Sequence, residues 1–249
     1  VQVLAPSGGR KATLERLKYS ATRGKLKRLA RGVYASVPPG VDATKFQPDR
    51  FLVAAALRPD AVFSHHSALE LLGAAHSEWR LCTAYSGRRS QPFDLDGLEL
   101  RFLSHPQSLV RHQAVELGTR SVHRLDRELL VTGPERTLID GFRRPDLVGG
   151  LAEFVESVAG FSVLDLPLLF ELLDAFGQKS LWAAVGWFLD TYRTTFYVSD
   201  DDLTLIDKHV PKAPLYLARD QRGGVLVRRW NLIVPDALVA GKEPDESQR

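Results

Sequence analysis

Between positions 11 and 31 the chain carries Lys11, Arg16, Lys18, Arg23, Lys25, Lys27, Arg28 and Arg31, with Glu15 the one acid among them. Cations at this density suit phosphate oxygens, and Tyr19, Ser20, Thr22 and Tyr34, interleaved with them, supply donors for phosphates and base edges. A merely solvated helix face would carry acids interspersed with its bases. The chemistry these residues fit is nucleic-acid contact, with Lys11, Arg16, Lys18, Tyr19, Arg23, Lys25, Lys27, Arg28 and Arg31 as candidate DNA-binding residues. Duplex DNA is favoured over a single strand, because the several exposed aromatics on which successive bases stack are lacking.

Other polar groups invite weaker readings. Asp94, Asp96 and Glu99-Leu100-Arg101 approximate the acids and Glu-x-Lys of metal-dependent nucleases. Here an always-charged arginine stands where a lysine would be, and Asp96-Gly97 is the strongest short hairpin signal, so turn chemistry explains these acids better. His65 and His66 are adjacent, and His76, His105, His112, His123 and His209 show no i, i+4 ligand spacing; no metal and no cofactor are expected. Cys82 sits in an apolar strand pattern and reads as a buried small residue. Arg136 and Asp140 are four apart and can pair along a helix, while Glu135 fits a capping box with Thr132. There is no glycine-rich phosphate loop, Gly-x-Ser-x-Gly elbow or His-Glu-x-x-His, so no catalytic residue is assigned and the expectation is a protein that is not an enzyme.

The elements that must position the basic residues follow from periodicity and breakers. Leu14 and Leu17 set a helix over residues 10 to 23, ended by Gly24. Leu26, Leu29, Val33 and Tyr34, with a tight turn at Gly32, predict a small β-wing before the Pro38-Pro39-Gly40 break. A helix through Phe51 to Leu57 follows, then a helix capped by Ser64 and running to Gly73. Trp79 to Tyr85 is β-prone, and Phe93 to Leu103 alternates as a hairpin about Asp96-Gly97. A helix opened by Thr132 should stop before Pro145. Apolar stripes over 151–158, 168–176 and 181–192 predict three packed helices, and Ser199 to Asp202 caps another. Leu215 to Leu217 and Val225 to Val227 read as a hairpin about 220–224, ahead of Trp230 to Val234.

With 249 residues, 44% hydrophobic and 25% charged, the composition is globular. The net charge of +3 conceals a split: residues 1–36 hold nine Lys or Arg against Glu15, a net of +8, leaving −5 for the remainder. No run reaches the roughly 18 apolar residues of a membrane span. The start lacks signal-peptide order, and one cysteine cannot form an internal disulfide, so a cytoplasmic setting and no membrane partner are expected. The expected class is α+β: a winged helix-turn-helix segment over 1–36, a mixed α/β region over 37–145, a mainly helical body over 146–240 and a polar tail over 241–249.

Three blocks carry a family resemblance: Gly24-Lys25-Leu26 through Arg31-Gly32-Val33-Tyr34; Ala61-Val62-Phe63-Ser64-His65-His66-Ser67-Ala68-Leu69 ending in Leu72-Gly73; and Val131-Thr132-Gly133-Pro134-Glu135-Arg136-Thr137-Leu138-Ile139-Asp140. In order and spacing they resemble the AbiEi family of bacterial antitoxins over about the first 150 residues. The resemblance implies a type IV toxin–antitoxin role. An N-terminal winged helix would bind inverted repeats in the protein's own promoter and repress it. The C-terminal body would counteract a nucleotidyltransferase-like toxin, with or without touching it. Only 23 residues precede Gly24, fewer than the full helical set of such a domain, so a truncated winged helix is expected. Two rival readings stay open: a metal-dependent nuclease-like protein with the same DNA-binding region, and a ligand-sensing transcriptional regulator.

Overall fold

The computed structural model describes residues 10–218 and 222–239, so the expected polar tail and part of the expected 220–224 turn lie outside the described residues. Helix α1 (Arg10–Thr22) ends where Gly24 adopts φ +68°, a left-handed conformation that glycine enters without a Cβ penalty. Strands β1 (Leu26–Ala30) and β2 (Val33–Ser36) form an antiparallel hairpin turned at Gly32, with an irregularity between Arg28 and Ala30. Helix α2 (Arg50–Leu57) starts at Asp49, whose carboxylate accepts the Phe51 and Leu52 N–H groups at 2.9 and 3.0 Å. Next come β3 (Val62–Phe63) and α3 (His66–Leu71).

Here the expected cap is replaced. The N-cap position of α3 is His65, at φ 58° and ψ −132°, and no side chain caps it. The Ser64 hydroxyl lies one residue too early and instead meets His65 Nδ1 at 2.9 Å. Strand β4 (Leu81–Tyr85) precedes β5 (Phe93–Leu95) and β6 (Leu98–Leu103). The β5–β6 turn has positive φ at both Asp96 (58°) and Gly97 (81°), the pattern of a type I′ hairpin that the Asp-Gly pair predicts.

Along the rest of the chain lie α4 (Gln107–Arg111), β7 (Thr119–Arg124), β8 (Arg127–Thr132) and α5 (Pro134–Arg143). The expected capping box at Thr132 does not form. Gly133 is the N-cap, Pro134 begins the helix where its missing N–H costs nothing, and the Thr132 hydroxyl sits 2.8 Å from that of Thr137. Glu135 turns away to accept the Asp165 N–H at 2.8 Å. Four helices follow: α6 (Leu151–Ala159), α7 (Leu166–Phe176), α8 (Lys179–Thr191) and α9 (Asp200–Asp207), the last closed by a reciprocal Ser199–Asp202 capping box. Strands β9 (Leu215–Tyr216), β10 (Val225–Val227) and β11 (Leu232–Val234) lead to α10 (Asp236–Val239). β9 and β10 do not form the expected hairpin. Each pairs with β11, β10 antiparallel and β9 parallel. The strand with Leu232 and Val234 buried takes the centre, and the short exposed strands take the edges.

The fold is mixed α+β, and its contacts define two units, each assembled from separated stretches. The first comprises Val1–Val62, Trp79–Ser104 and His123–Leu129; the second comprises Phe63–Glu78, His105–Val122 and Leu130–Arg249. β3, β7 and β8 are each divided between them. In the first unit β4 lies parallel to β6, β5 lies antiparallel to it, and α2 buries Phe51 to Ala54 while packing on β2, β4 and β6. Cys82 is buried in β4, as its apolar setting predicts.

The second unit has its own core, built from α5 to α9 and β11. Gly141 and Gly186 are required in it, because a Cβ would stand 2.1 Å from the Phe154 ring at the first and 2.5 Å from the Trp230 ring at the second. Among the described residues no helix is long and apolar enough to cross a membrane. The positive charge stays with the first unit: 18 Lys or Arg against nine Asp or Glu, a net of +9, while the second holds 15 against 21, a net of −6.

Candidate nucleic-acid interface

On α1 the half-buried positions are Thr13, Leu17, Ser20 and Ala21, which share one side of the helix. Lys11, Lys18 and Tyr19 fall on the other side and Arg16 on its flank; all four are exposed, as is Arg23 one residue past the helix. Lys18 meets Glu15 at 3.2 Å, but both side chains are more than 60% exposed, and such a pair leaves the cation available to a phosphate. The Arg23 guanidinium stands 5.3 Å from the centre of the Tyr19 ring, a cation–π contact that steadies a long side chain in solvent.

The hairpin extends this surface. Lys25 precedes β1 and is exposed; Arg28 is exposed directly across the ladder from Tyr34; Arg31 is exposed in the turn beside Gly32. Buried Leu29, Val33 and Ala35 anchor the hairpin from its other face. Lys27 is the exception among the nine candidates. Its ammonium is held by the Phe46 carbonyl at 2.7 Å and by Asp96 at 2.6 Å, and its side chain is 13% exposed. Eight of the nine residues are thus exposed on α1, β1 and the turns beside them in the first unit, and the ninth is tied to Phe46 and Asp96. Alternation along β1 carried the signal for this difference, since Lys27 and Arg28 must face opposite ways.

The acids of the nuclease-like reading are engaged elsewhere. Asp94 accepts the Gly97 N–H at 2.9 Å, Asp96 holds Lys27, and Glu99 lies 3.5 Å from Arg80. Among the described residues no three His, Cys, Asp or Glu side chains are grouped as a metal's ligands would be. A basic group that the motif reading passed over lies in the loop after β4, where Ser86-Gly87-Arg88-Arg89-Ser90 leaves both arginines exposed. Asp60 accepts the Gly87 N–H at 2.8 Å and the Ser86 hydroxyl at 3.0 Å; the Gly87 donor above all holds its carboxyl below the usual carboxylate range.

The second unit gathers a buried polar cluster. Arg136 is fully buried, donates to the Val115 and Leu117 carbonyls at 2.5 and 3.1 Å, and lies 3.7 Å from Asp140, the helical pairing their spacing predicts. Asp140 also meets Arg143 at 3.2 Å. Burial pushes the His65 imidazole down to about 4, against the opposing pull of Asp140. His66 meets Glu70 at 3.0 Å through Nδ1 and Glu153 at 3.6 Å through Nε2. His66 ties α3 to α6, and His65, Arg136 and Asp140 are fully buried, while Glu70 and Glu153 keep partial exposure. A cleft of about 1160 Å³ in the same unit is lined by Phe142, Leu181, Tyr216 and Leu232 with Arg143 and Arg144. Both arginines are already matched by carboxylates, Arg144 by Asp146 at 2.6 and 2.8 Å.

No protein-family model matches the chain, and no curated protein matches it. Among solved structures the chain is similar to the crystal structure of the RV2827C protein from Mycobacterium tuberculosis, with 17% sequence identity, a TM-score of 0.60, and coverage of 95% of this chain and 84% of that one. At this identity the likeness is one of fold.

Proposed function

We propose that the first unit binds double-stranded DNA, with α1 in the major groove and the β1–β2 hairpin as a wing on the adjacent backbone. The observation that carries this reading is the exposed α1–β1–β2 surface, on which Lys11, Arg16, Lys18, Arg23, Lys25, Arg28 and Arg31 face solvent with Glu15 among them. What supports it is that the major groove admits an α-helix and that exposed cations on the hairpin suit the adjacent phosphate backbone. With the AbiEi resemblance, the reading extends to a cytoplasmic repressor-antitoxin that binds inverted repeats in its own promoter and, through the acidic second unit, counteracts a nucleotidyltransferase-like toxin.

Titration of the full chain against a duplex of its own promoter, followed by fluorescence anisotropy over a salt series, tests the first part. Seven phosphate contacts give a slope of log K against log salt of about −6. Equal, weak affinity for promoter and scrambled duplexes overturns the repressor. Co-expression with the neighbouring toxin gene tests the second part: restored growth is expected, and unrelieved toxicity overturns the antitoxin. The 1160 Å³ cleft favours one alternative, a ligand-sensing regulator, for which the absence of any toxin gene alongside would speak.

A further inference from the structure

Asp96 fastens the β5–β6 turn to Lys27 of β1, so one end of β6 is tied to the α1–β1–β2 surface. At the other end, the Ser86 N–H donates to the Leu103 carbonyl at 2.9 Å and the Ser90 N–H to the Phe102 carbonyl at 2.8 Å. The loop 86–90 is therefore stitched to the strand at both of its ends. Asp60 fixes its bend, and in doing so uses its carboxylate on Ser86 and Gly87. The next two side chains, Arg88 and Arg89, are exposed, and their guanidinium groups make no ion pair or hydrogen bond among the described residues. The Arg58 guanidinium is half-buried, 5.0 Å from the centre of the Phe102 ring and donating to the Leu57 carbonyl at 3.0 Å, so it is part of the frame under the loop.

We propose that this loop is a second backbone contact for DNA, in which Arg88 and Arg89 grip phosphates of the same duplex that α1 and the β1–β2 hairpin engage. The proposal rests on the DNA reading of the first surface. Phosphate is the ligand chemistry that fits, because planar guanidinium forks on a fixed loop take phosphate oxygens in pairs. Five residue steps along β6 span about 17 Å between the turn that holds Lys27 and the loop, less than one ~34 Å turn of a duplex. Both belong to one unit, and their separation is set by a strand rather than by a linker.

The test is the Arg88→Ala, Arg89→Ala double variant of the full chain, titrated against the promoter duplex over the same salt series. Removing two phosphate contacts should lower the magnitude of the slope by about 1.8, so that the variant's loss of affinity is roughly tenfold larger at 50 mM than at 200 mM salt. The loss should be equal on promoter and scrambled duplexes, since phosphate contacts carry no sequence. Thermal midpoint should be unchanged, and the Lys208→Ala control in the second unit should keep the parent slope. Ethylation interference on the parent complex should mark phosphates besides those of α1 and the hairpin, and the variant should lose only these. A double variant that keeps the parent's steep slope overturns this proposal and leaves the α1 reading standing. A parent chain without a steep slope overturns both. Loss of toxin neutralisation with DNA binding intact overturns it in favour of a protein partner.

Discussion

Lys27 Nζ stands 2.6 Å from Asp96 Oδ2, joining β1 of the basic hairpin to the β5–β6 turn. The Phe46 carbonyl accepts from the same ammonium at 2.7 Å, so the cation is enclosed on two sides while its neighbour Arg28 faces solvent. The pairing makes a positively charged residue part of the frame that carries the other cations. Replacing Lys27 with Met should therefore cost about 1 to 2 kcal/mol of stability, as loss of a charge-assisted hydrogen bond does, and leave the DNA salt slope unchanged. Chemical denaturation of Lys27→Met, Asp96→Asn and the double variant measures it. A coupling of about 1 kcal/mol is expected between partners in contact. Additive effects, or a lowered salt slope in Lys27→Met, would place Lys27 on the DNA instead.

The exposed cations make the opposite prediction. Arg16, Arg28 and Arg31, changed singly to Ala, should each reduce the magnitude of the salt slope by about 0.9 and move stability by no more than ~0.5 kcal/mol. Tyr19→Ala should weaken binding as well, because Arg23 loses the ring that steadies it. Anisotropy titrations alongside thermal melts read both quantities. Any of the three arginine variants with parent slope removes that side chain from the contact surface.

The basic head was legible because its signals are local. A helix closed by Gly24, a turn at Gly32 and an Asp-Gly hairpin are each set by neighbouring residues, and all three stand where spacing puts them. Apolar stripes located α6, α7 and α8 for the same reason. The misses are long-range. Thr132 and Glu135 form a sound capping box in isolation, yet Glu135 is claimed by the Asp165 N–H thirty residues away. β9 and β10 flank a turn-like stretch, yet β11 offers each of them a better partner. Lys27 was grouped with its neighbours because charge counts do not see which face of a strand a side chain takes. Arg88 and Arg89 were passed over because the Asp60 contacts that shape their loop come from another stretch of chain.

Arg136 sets a second kind of test. It is buried beside Asp140 and also satisfies the Val115 and Leu117 carbonyls. Arg136→Ala should destabilise by about 3 kcal/mol, since it removes one of the two cations beside buried Asp140, leaving Arg143, and opens space in the core. Adding Asp140→Asn should recover only part of this, because the two carbonyls stay without their donor. Full recovery in the double variant, measured by denaturant midpoint, would mean the carbonyl contacts contribute nothing.

His65 ties stability to pH with a definite sign. Burial holds its imidazole neutral down to about 4 in the folded chain, with Asp140 and Asp146 favouring the proton and Arg143 and Arg144 opposing it. In the unfolded chain it titrates near ~6.5. Above that value both states are neutral and His65 adds no pH dependence. Between about 6.5 and 4 the unfolded chain takes up a proton that the folded chain refuses, so stability falls as pH falls. At ~1.4 kcal/mol per pH unit the loss reaches roughly 3 kcal/mol near pH 4. The depressed carboxyls of Asp60 and Asp146 act in a lower window, since folded pKa values below the ordinary carboxylate value give stability that is present above it and lost only in stronger acid. His65→Asn separates the two effects, and asparagine tolerates positive φ better than most residues. The variant should be less stable at pH 7, having lost the Ser64 contact, but its stability should be flatter between pH 6.5 and 4 than the parent's. Denaturant midpoints at pH 7, 5.5 and 4.5 decide it. Parallel curves for parent and variant across that window would mean that His65 is protonated alike in both states, and that its burial carries no proton-linked cost.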